Sequence, residues 1–343
     1  MHLVRMLAAL VTLAALVALP GTAAAWSRSP ATTFATLPAG AAHPEGITVD
    51  PAGNVYVATF DVAKPAGSPG EIFVYSPSGQ LLRRLRVAGS SNLLLDLAFH
   101  PTTGALLVID FGAKQVLTVN PFTGASSPFV TIPGGAAAGP NVLTFDAAGN
   151  VYISDSFQGV IWRTPPAGAT ITAWKADTLL TTTGVPPFGA NGLAFNGAGT
   201  TLFVCNTGND TVVQIPVLAG GLAGNASVFV NSVNGCDGLI IDEHDNLWLA
   251  ANQADEIVVV NPAGRVIAKL GDFEGLDPKG APRGLLFPAS LVRSGEFIYV
   301  TNLSLDLRLF GLAPPVDALW AADVRQHTVS KIRAHIPPIP GLR

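Results

Sequence analysis

Residues 44 to 60, PEGITVDPAGNVYVATF, contain the pattern that decides the fold. An apolar run is followed by a turn rich in Asp, Pro, Gly and Asn and then by a second, alternating run, which is typical of a β-hairpin. Two further β-type runs come next, EIFVYSPSG from Glu71 and QLLRRLRV from Gln80. The sequence therefore predicts a unit of four strands.

This unit recurs along the chain with a period near 50 residues. Four-stranded units of this length cannot bury both faces alone, and packing them around an axis solves the problem, so six copies predict an all-β, six-bladed β-propeller. A linear solenoid is the alternative, but it needs polar caps that the sequence lacks. The equivalent first-strand positions are Glu45, Leu95, Asn141, Asn191, Asp237 and Phe287.

Closure of the ring is the least regular part of the pattern. The segment FATLPAGAAHPEG from Phe34 resembles the one that precedes the third copy, which predicts an outer strand near Phe34 to Leu37 that completes the last blade. The second half of that blade contains an irregular insert, LSLDLRLFGLAPPVDA, at residues 303 to 318.

Composition excludes several classes of protein. With 49% hydrophobic and only 12% charged residues, the chain can bury a sizeable core and is not disordered. The net charge of −4 and the scattered Lys and Arg residues provide no basic surface for phosphates, so we expect no nucleic-acid partner.

Residues 1 to 25 have the features of a secretory signal peptide. Arg5 precedes an apolar run from Leu7 to Leu19, and small residues follow it up to Ala25. Retention as a membrane anchor is the alternative, although the run is shorter than the ~20 residues needed to span a bilayer. We expect cleavage before Trp26, a secreted or periplasmic protein without membrane association, and one propeller domain over residues 26 to 343.

The first strand of each blade lines the central channel of a propeller, so its early residues meet around the axis. Glu45, Asn141, Asn191 and Asp237 would bring two carboxylates and two amides together there. Oxygen ligands without His or Cys favour Ca²⁺, with Mg²⁺ or Mn²⁺ as other possibilities. A hydrogen-bonded polar ring around buried water is the structural alternative.

Polar residues at the ends of the second strands extend this set. Asp155 and Asn206 are candidates for substrate binding, although turn formation explains such residues equally. The run DEHDN at Asp242 to Asn246 lacks the glycine and terminal glutamate of a calcium loop, and we assign it to a hairpin turn. Cys205 and Cys236 could form one disulfide or remain buried thiols.

With these motifs, the chain resembles the gluconolactonase, regucalcin and luciferin-regenerating-enzyme family of six-bladed propellers, with NHL-like repeats. The resemblance implies a divalent cation, usually Ca²⁺, and hydrolysis of a lactone. Glu45, Asn191 and Asp237 match the ligand motifs of the family, and Asp237 is the implied base. Asn141 also matches, but Val142 and Leu143 replace the following Asp-Gly and Gly139 stands where the family has an arginine.

Three functional hypotheses follow. The first is an exported calcium-dependent hydrolase of a lactone or related ester, a small-molecule substrate, with Asp237 as general base. The second is a non-catalytic NHL-like propeller that serves as a binding scaffold. The third is a lyase that opens a cyclic ester by elimination, with His43 as the candidate base. No serine-hydrolase elbow, phosphate-binding loop or zinc-protease motif occurs in the sequence.

Overall fold

The computed structural model describes residues 28 to 312 and 318 to 336. Six four-stranded antiparallel sheets surround a central channel, and the predicted six-bladed β-propeller is confirmed. The expected signal peptide at residues 1 to 25 lies outside the described residues.

Twenty-six strands are present among the described residues. Those of the N-terminal half, in chain order, are β1 (Thr32–Thr36), β2 (Pro44–Val49), β3 (Val55–Thr59), β4 (Glu71–Tyr75), β5 (Leu81–Arg86), β6 (Leu94–Phe99), β7 (Leu106–Asp110), β8 (Gln115–Val119), β9 (Ser126–Thr131), β10 (Pro140–Phe145), β11 (Val151–Asp155), β12 (Val160–Thr164) and β13 (Thr172–Ala176). Those of the C-terminal half are β14 (Ala190–Phe195), β15 (Thr201–Asn206), β16 (Thr211–Pro216), β17 (Ser227–Val230), β18 (Cys236–Ile241), β19 (Leu247–Ala251), β20 (Glu256–Val260), β21 (Val266–Leu270), β22 (Phe273–Leu276), β23 (Pro282–Gly284), β24 (Pro288–Ser294), β25 (Phe297–Asn302) and β26 (Thr328–Arg333).

Blades one to five each use four consecutive strands, from β2 to β21, and β22 pairs with β23 in a separate hairpin. Blade six combines β24, β25 and β26 with the N-terminal β1 as its outer strand. Leu37 N also donates to His327 O at 2.9 Å. The ring is therefore closed by joining the two ends of the chain, with β1 where the sequence predicted an outer strand.

A repeated aspartate turn links the first two strands of blades one, three and five. In blade one, Asp50 Oδ1 accepts hydrogen bonds from the backbone N–H groups of Ala52 and Asn54, at 2.9 and 2.8 Å. Gly53 in the same turn has φ +81°, a value that favours glycine. Asp146 forms the same contacts in blade three. The D-x-x-G-N pattern is thus the local cause of the hairpin.

Apolar residues from adjacent blades form the core. Between blades one and two, for example, Ile72 and Val74 pack with Leu94 and Leu106, all completely buried. Burial of such a side chain contributes about 1.5–3 kcal/mol relative to exposure, so contacts between the blades hold the channel at a fixed width. A disulfide between Cys205 and Cys236 adds a covalent link between blades four and five.

Helices are short in this protein. Four 3₁₀ turns are present among the described residues, at Gly135–Ala137, Thr178–Leu180, Ala219–Gly221 and Leu307–Phe310. The single described α-helix, α1 (Ala318–Ala322), follows the irregular insert of blade six. Within the part of the chain that the structure describes, no helix has the length and apolar character required to cross a bilayer.

Candidate functional site

One cavity at the end of the channel where the first strands begin contains all four residues predicted as cation ligands. Glu45, Asn141, Asn191 and Asp237 line it, and each is at most 4% exposed. They come from blades one, three, four and five. The structure thus brings together side chains that are far apart in the sequence.

A bulge in the first strand of every blade positions these side chains. The pairing register with the second strand shifts between the first and fourth residues, for example between Pro44 and Ile47 in blade one and between Cys236 and Leu239 in blade five. Bulges of this kind re-aim a side chain, here the one at the second position. Gly192 follows Asn191 in blade four, and a Cβ there would lie 2.2 Å from Asp237 O, so only glycine permits this approach of neighbouring strands.

Two hydroxyl groups fix the orientation of the amides. Thr207 Oγ1 donates its single hydrogen to Cys236 O at 2.8 Å and therefore accepts from Asn191 Nδ2 at 2.9 Å. Ser156 acts in the same way in blade three, where its hydroxyl donates to a carbonyl of the next blade and accepts from Asn141 Nδ2 at 3.0 Å. The side-chain oxygens of Asn141 and Asn191 are consequently free to accept a hydrogen bond or to bind a cation.

Three buried oxygens in the cavity lack partners. Within the described part of the chain, Glu45 Oε2, Asn141 Oδ1 and Asn191 Oδ1 have no hydrogen bond. An unsatisfied buried acceptor costs about 1–3 kcal/mol, so three of them together indicate a ligand that binds oxygen. These are hard oxygen donors, with Asp237 beside them, and they fit a cation such as Ca²⁺.

The electrostatics of the cavity also favour a cation. Burial, with the nearby carboxylates of Asp237 and Asp96, raises the pKa of Glu45 well above its usual range. Burial raises the pKa of Asp237 to about 7, although hydrogen bonds from Asn252 and Asn191 oppose the shift. Two carboxyl groups that resist ionisation near one another are stabilised in their charged form by a divalent cation.

The equivalent position in blade six is Ala289, and the predicted alignment on Phe287 was wrong by two residues. Pro288 pairs with Asn302, as Pro44 pairs with Thr59 in blade one, so the residue after Pro288 matches Glu45. The extra hairpin of β22 and β23 lengthens the connection before this blade and changes the spacing. The side chain of Phe287 nevertheless lines the cavity.

Asp155 and Asn206, the predicted substrate-binding residues, do not line the cavity. Asp155 is completely buried and accepts hydrogen bonds from Gly139 N at 2.9 Å and Trp162 Nε1 at 3.1 Å. Asn206 Nδ2 donates to Leu179 O at 2.9 Å. Both side chains thus stabilise loops, and this placement does not support their predicted contact with substrate.

The residues directly after the second strands are the ones that face the channel. Successive side chains of a strand point to opposite faces, so a shift of one residue exchanges a loop contact for a channel contact. Ser156 and Thr207, which the sequence analysis missed, occupy this position, as does Asn252, whose Nδ2 donates to Asp237 Oδ2 at 3.0 Å. In the sequence, a hydroxyl residue directly follows both Asp155 and Asn206, and this was the signal that could have identified Ser156 and Thr207.

The rest of the cavity wall is apolar. The cavity has a volume of about 40 Å³, enough for an ion with a few waters. The side chains over it are Phe60, Leu95, Pro186, Phe188, Phe287, Leu303, Leu305 and Leu307. A larger cavity of about 510 Å³ opens at the other end of the channel, but none of the four predicted ligands lines it.

His43, the candidate base, and the acidic turn at Asp242 both lie outside this cavity. His43 is buried, with its Nδ1 3.0 Å from Leu303 O and its ring against His327, and it does not line the cavity. Burial lowers the pKa of His43. Asp242, Glu243 and His244 form an acidic cluster in an exposed hairpin turn, where Asp242 accepts from backbone N–H groups as a turn residue does.

Comparison with protein families identifies the chain. The family described as the SMP-30/gluconolactonase/LRE-like region matches residues 98 to 271, half of the chain and most of blades two to five. The chain belongs to this family. The matched region contains Asn141, Asn191 and Asp237, and the resemblance inferred from the sequence is confirmed. Comparison with curated protein sequences gives no match.

Solved structures share the fold at low sequence identity. A calcium-binding protein, regucalcin, from Agrobacterium tumefaciens is 17% identical with a TM-score of 0.61, covering 91% of this chain and 99% of its own. A luciferin-regenerating enzyme is also 17% identical, with a TM-score of 0.63 and coverage of 89% and 96%. A streptogramin B lyase is 15% identical, with a TM-score of 0.56 and coverage of 81% and 82%. At these identities the similarity establishes the fold alone.

Proposed function

We propose that this member of the SMP-30/gluconolactonase/LRE-like family is an exported, calcium-dependent hydrolase of a lactone or related ester. The observation that carries the proposal is the group of three unpartnered buried oxygens, on Glu45, Asn141 and Asn191, beside the Asp237 carboxylate. A scaffold that only binds other molecules through its rim does not need unsatisfied acceptors in its channel.

Glu45, Asn141, Asn191 and Asp237 would hold the cation in this cavity. When bound, Ca²⁺ supplies charge compensation for the two carboxylates and Lewis-acid polarisation of an ester carbonyl. The hydroxyls of Ser156 and Thr207 keep the two amide oxygens turned toward the cavity, so the ligand set is preorganised before any cation arrives.

Asp237 is the proposed general base. It would accept a proton from the water that attacks the carbonyl carbon and return the proton to the alkoxide that leaves when the ring C–O bond breaks. Burial raises the pKa of Asp237 above that of an exposed carboxyl, which makes it a stronger base. Because a cation lowers that pKa, proximity contributes much of the acceleration, and Asn252 holds the carboxylate in place through Asp237 Oδ2.

The activity is tested with protein stripped of divalent cations, assayed on a panel of lactones before and after Ca²⁺ is added. We expect no turnover by the stripped protein and turnover after addition, because the carboxylate pair and the carbonyl both require the cation's charge. In H₂¹⁸O the carboxylic acid product should carry the label. An unlabelled, unsaturated product would indicate elimination instead, and the absence of turnover on every lactone would contradict the proposal.

Export is the second part of the proposal. The apolar segment at residues 7 to 19 and the disulfide between Cys205 and Cys236 both support a secreted or periplasmic location, since such bonds persist in oxidising compartments. Mass spectrometry of the protein produced in its own cell type should show a mature N-terminus at Trp26 and a mass lower by two hydrogens than that of the reduced chain. Uncleaved, reduced protein in the cytosol would contradict export.

A further inference from the structure

The mouth of the channel has a polar and an apolar side. The residues directly after the second strands face the channel, and in blades three, four and five they are Ser156, Thr207 and Asn252. In blades one, two and six the same position holds Phe60, Phe111 and Leu303. At this position, polar side chains on three blades therefore face large apolar side chains on the other three.

An aromatic cluster of Phe60, Phe111, Phe157 and Phe188 continues from the cavity to the surface, with the last two contributed by loops of blades three and four. Phe60 and Phe188 line the cavity beside the predicted ligands. Phe111 connects them, with its ring centroid 5.6 Å from that of Phe60 and 6.4 Å from that of Phe188. Phe157 packs on Phe188 at 5.5 Å and is 44% exposed. The aromatic cluster thus joins solvent to the buried oxygens.

Two neighbouring residues hold the aromatic cluster in place. A Cβ at Gly139 would lie 2.7 Å from the ring of Phe157, so the lack of a side chain at Gly139 makes room for this ring. The ammonium of Lys114 lies 3.9 Å from the centroid of Phe111 and 5.8 Å from that of Phe157, a cation–π arrangement. The rings are therefore positioned rather than loosely exposed.

The polar side offers little to a polyhydroxylated substrate. The amide nitrogens of Asn141, Asn191 and Asn252 already donate to Ser156, Thr207 and Asp237. No Lys or Arg is among the described residues that line the cavity. Substrate hydroxyl groups that reach this cavity would face Leu and Phe side chains without partners, which is unfavourable, and at the aromatic cluster the ammonium of Lys114 is engaged with the ring of Phe111.

We propose that the substrate is a lactone whose ring carries an alkyl or aryl substituent, with the ester group at the ligand oxygens and the substituent on the aromatic cluster. This inference rests on the proposed function and specifies its substrate class. The positions of Phe60 and Phe188 are consistent with it, because both rings line the cavity beside the ligands.

The test uses lactones with one common ring and three kinds of substituent: none, an alkyl or phenyl group, and hydroxyl groups. With the calcium-loaded protein, we expect kcat/KM for the apolar lactones to exceed that for the other two classes by about tenfold or more. Phe157→Ala should remove about tenfold of that preference through KM and have a smaller effect on the unsubstituted lactone. Phe122→Ala, which removes an exposed ring in the turn between β8 and β9, is the matched control and should change nothing.

Calorimetry with the corresponding lactams, which resist hydrolysis, separates this inference from the proposed function. An alkyl or phenyl lactam that binds and weakens about tenfold in Phe157→Ala supports the apolar subsite, even when no lactone is hydrolysed. Equal binding of all lactams, or equal effects of Phe157→Ala on every lactone, would overturn the subsite, while hydrolysis itself would still support the proposed function.

Discussion

Asp237→Asn is expected to lower kcat for lactone hydrolysis by about 100-fold to 10,000-fold, the range that general bases contribute. Asparagine keeps the size and the hydrogen-bonding geometry of the side chain but cannot accept a proton from water. The side chain is buried beside Asn252 and Asn191, and because the change also removes one charge from the cation site, the variant is assayed at saturating Ca²⁺. Steady-state kinetics on the best lactone of the panel measure the effect.

Asp272→Asn is the matched control for this change. Asp272 is exposed and pairs with Arg28 at 3.1 Å on the outside of the propeller, so its replacement should leave kcat and KM unchanged. Circular dichroism of both variants verifies the fold. Turnover by Asp237→Asn within a few-fold of wild type would exclude Asp237 as the base.

Glu45→Gln is expected to weaken calcium binding by about 100-fold or more, since removal of a ligand should cost at least as much as removal of an outer-shell partner. The change keeps the shape of the side chain and removes one of the two charges that the cation compensates. Calorimetric titration with Ca²⁺ measures the affinity. In the absence of cations the variant should unfold at the same temperature as wild type or a higher one, because burial already disfavours the charged form of Glu45.

Glu243→Gln serves as the matched control for Glu45. Glu243 is an exposed acid that pairs with Arg293 and belongs to the acidic cluster of the hairpin turn. We expect its replacement to leave calcium affinity unchanged. A loss of binding in Glu243→Gln, with none in Glu45→Gln, would show that the cation binds at the surface turn and would remove the basis of the proposed activity.

Much of the fold could be predicted from the sequence because the blades share one repeated sequence pattern. The aspartate turn recurs at Asp50, Asp146 and Asp242, and the near-constant spacing places Glu45, Asn141, Asn191 and Asp237 at the same position of four blades. Agreement among these four equivalent positions is what made the cluster of buried oxygens predictable from the sequence.

The remaining features depend on register and on segments outside the repeat. The two-residue error at Phe287 came from an inserted hairpin, and the prediction of Asp155 and Asn206 did not anticipate that the next residues, Ser156 and Thr207, contact the predicted ligands. Among the apolar residues that line the cavity, Leu303, Leu305 and Leu307 belong to the irregular insert, which has no equivalent in other blades. The pairing of Cys205 with Cys236 could be established only from the structure, in which their Cα atoms are 5.3 Å apart.

Anomalous scattering from crystals grown with Mn²⁺ or Ca²⁺ tests the central claim most directly. The account predicts one strong peak at the channel mouth, bonded to oxygens of Glu45, Asn141, Asn191 and Asp237. Ordered water alone between these side chains, or a peak confined to the Asp242 turn, would contradict it.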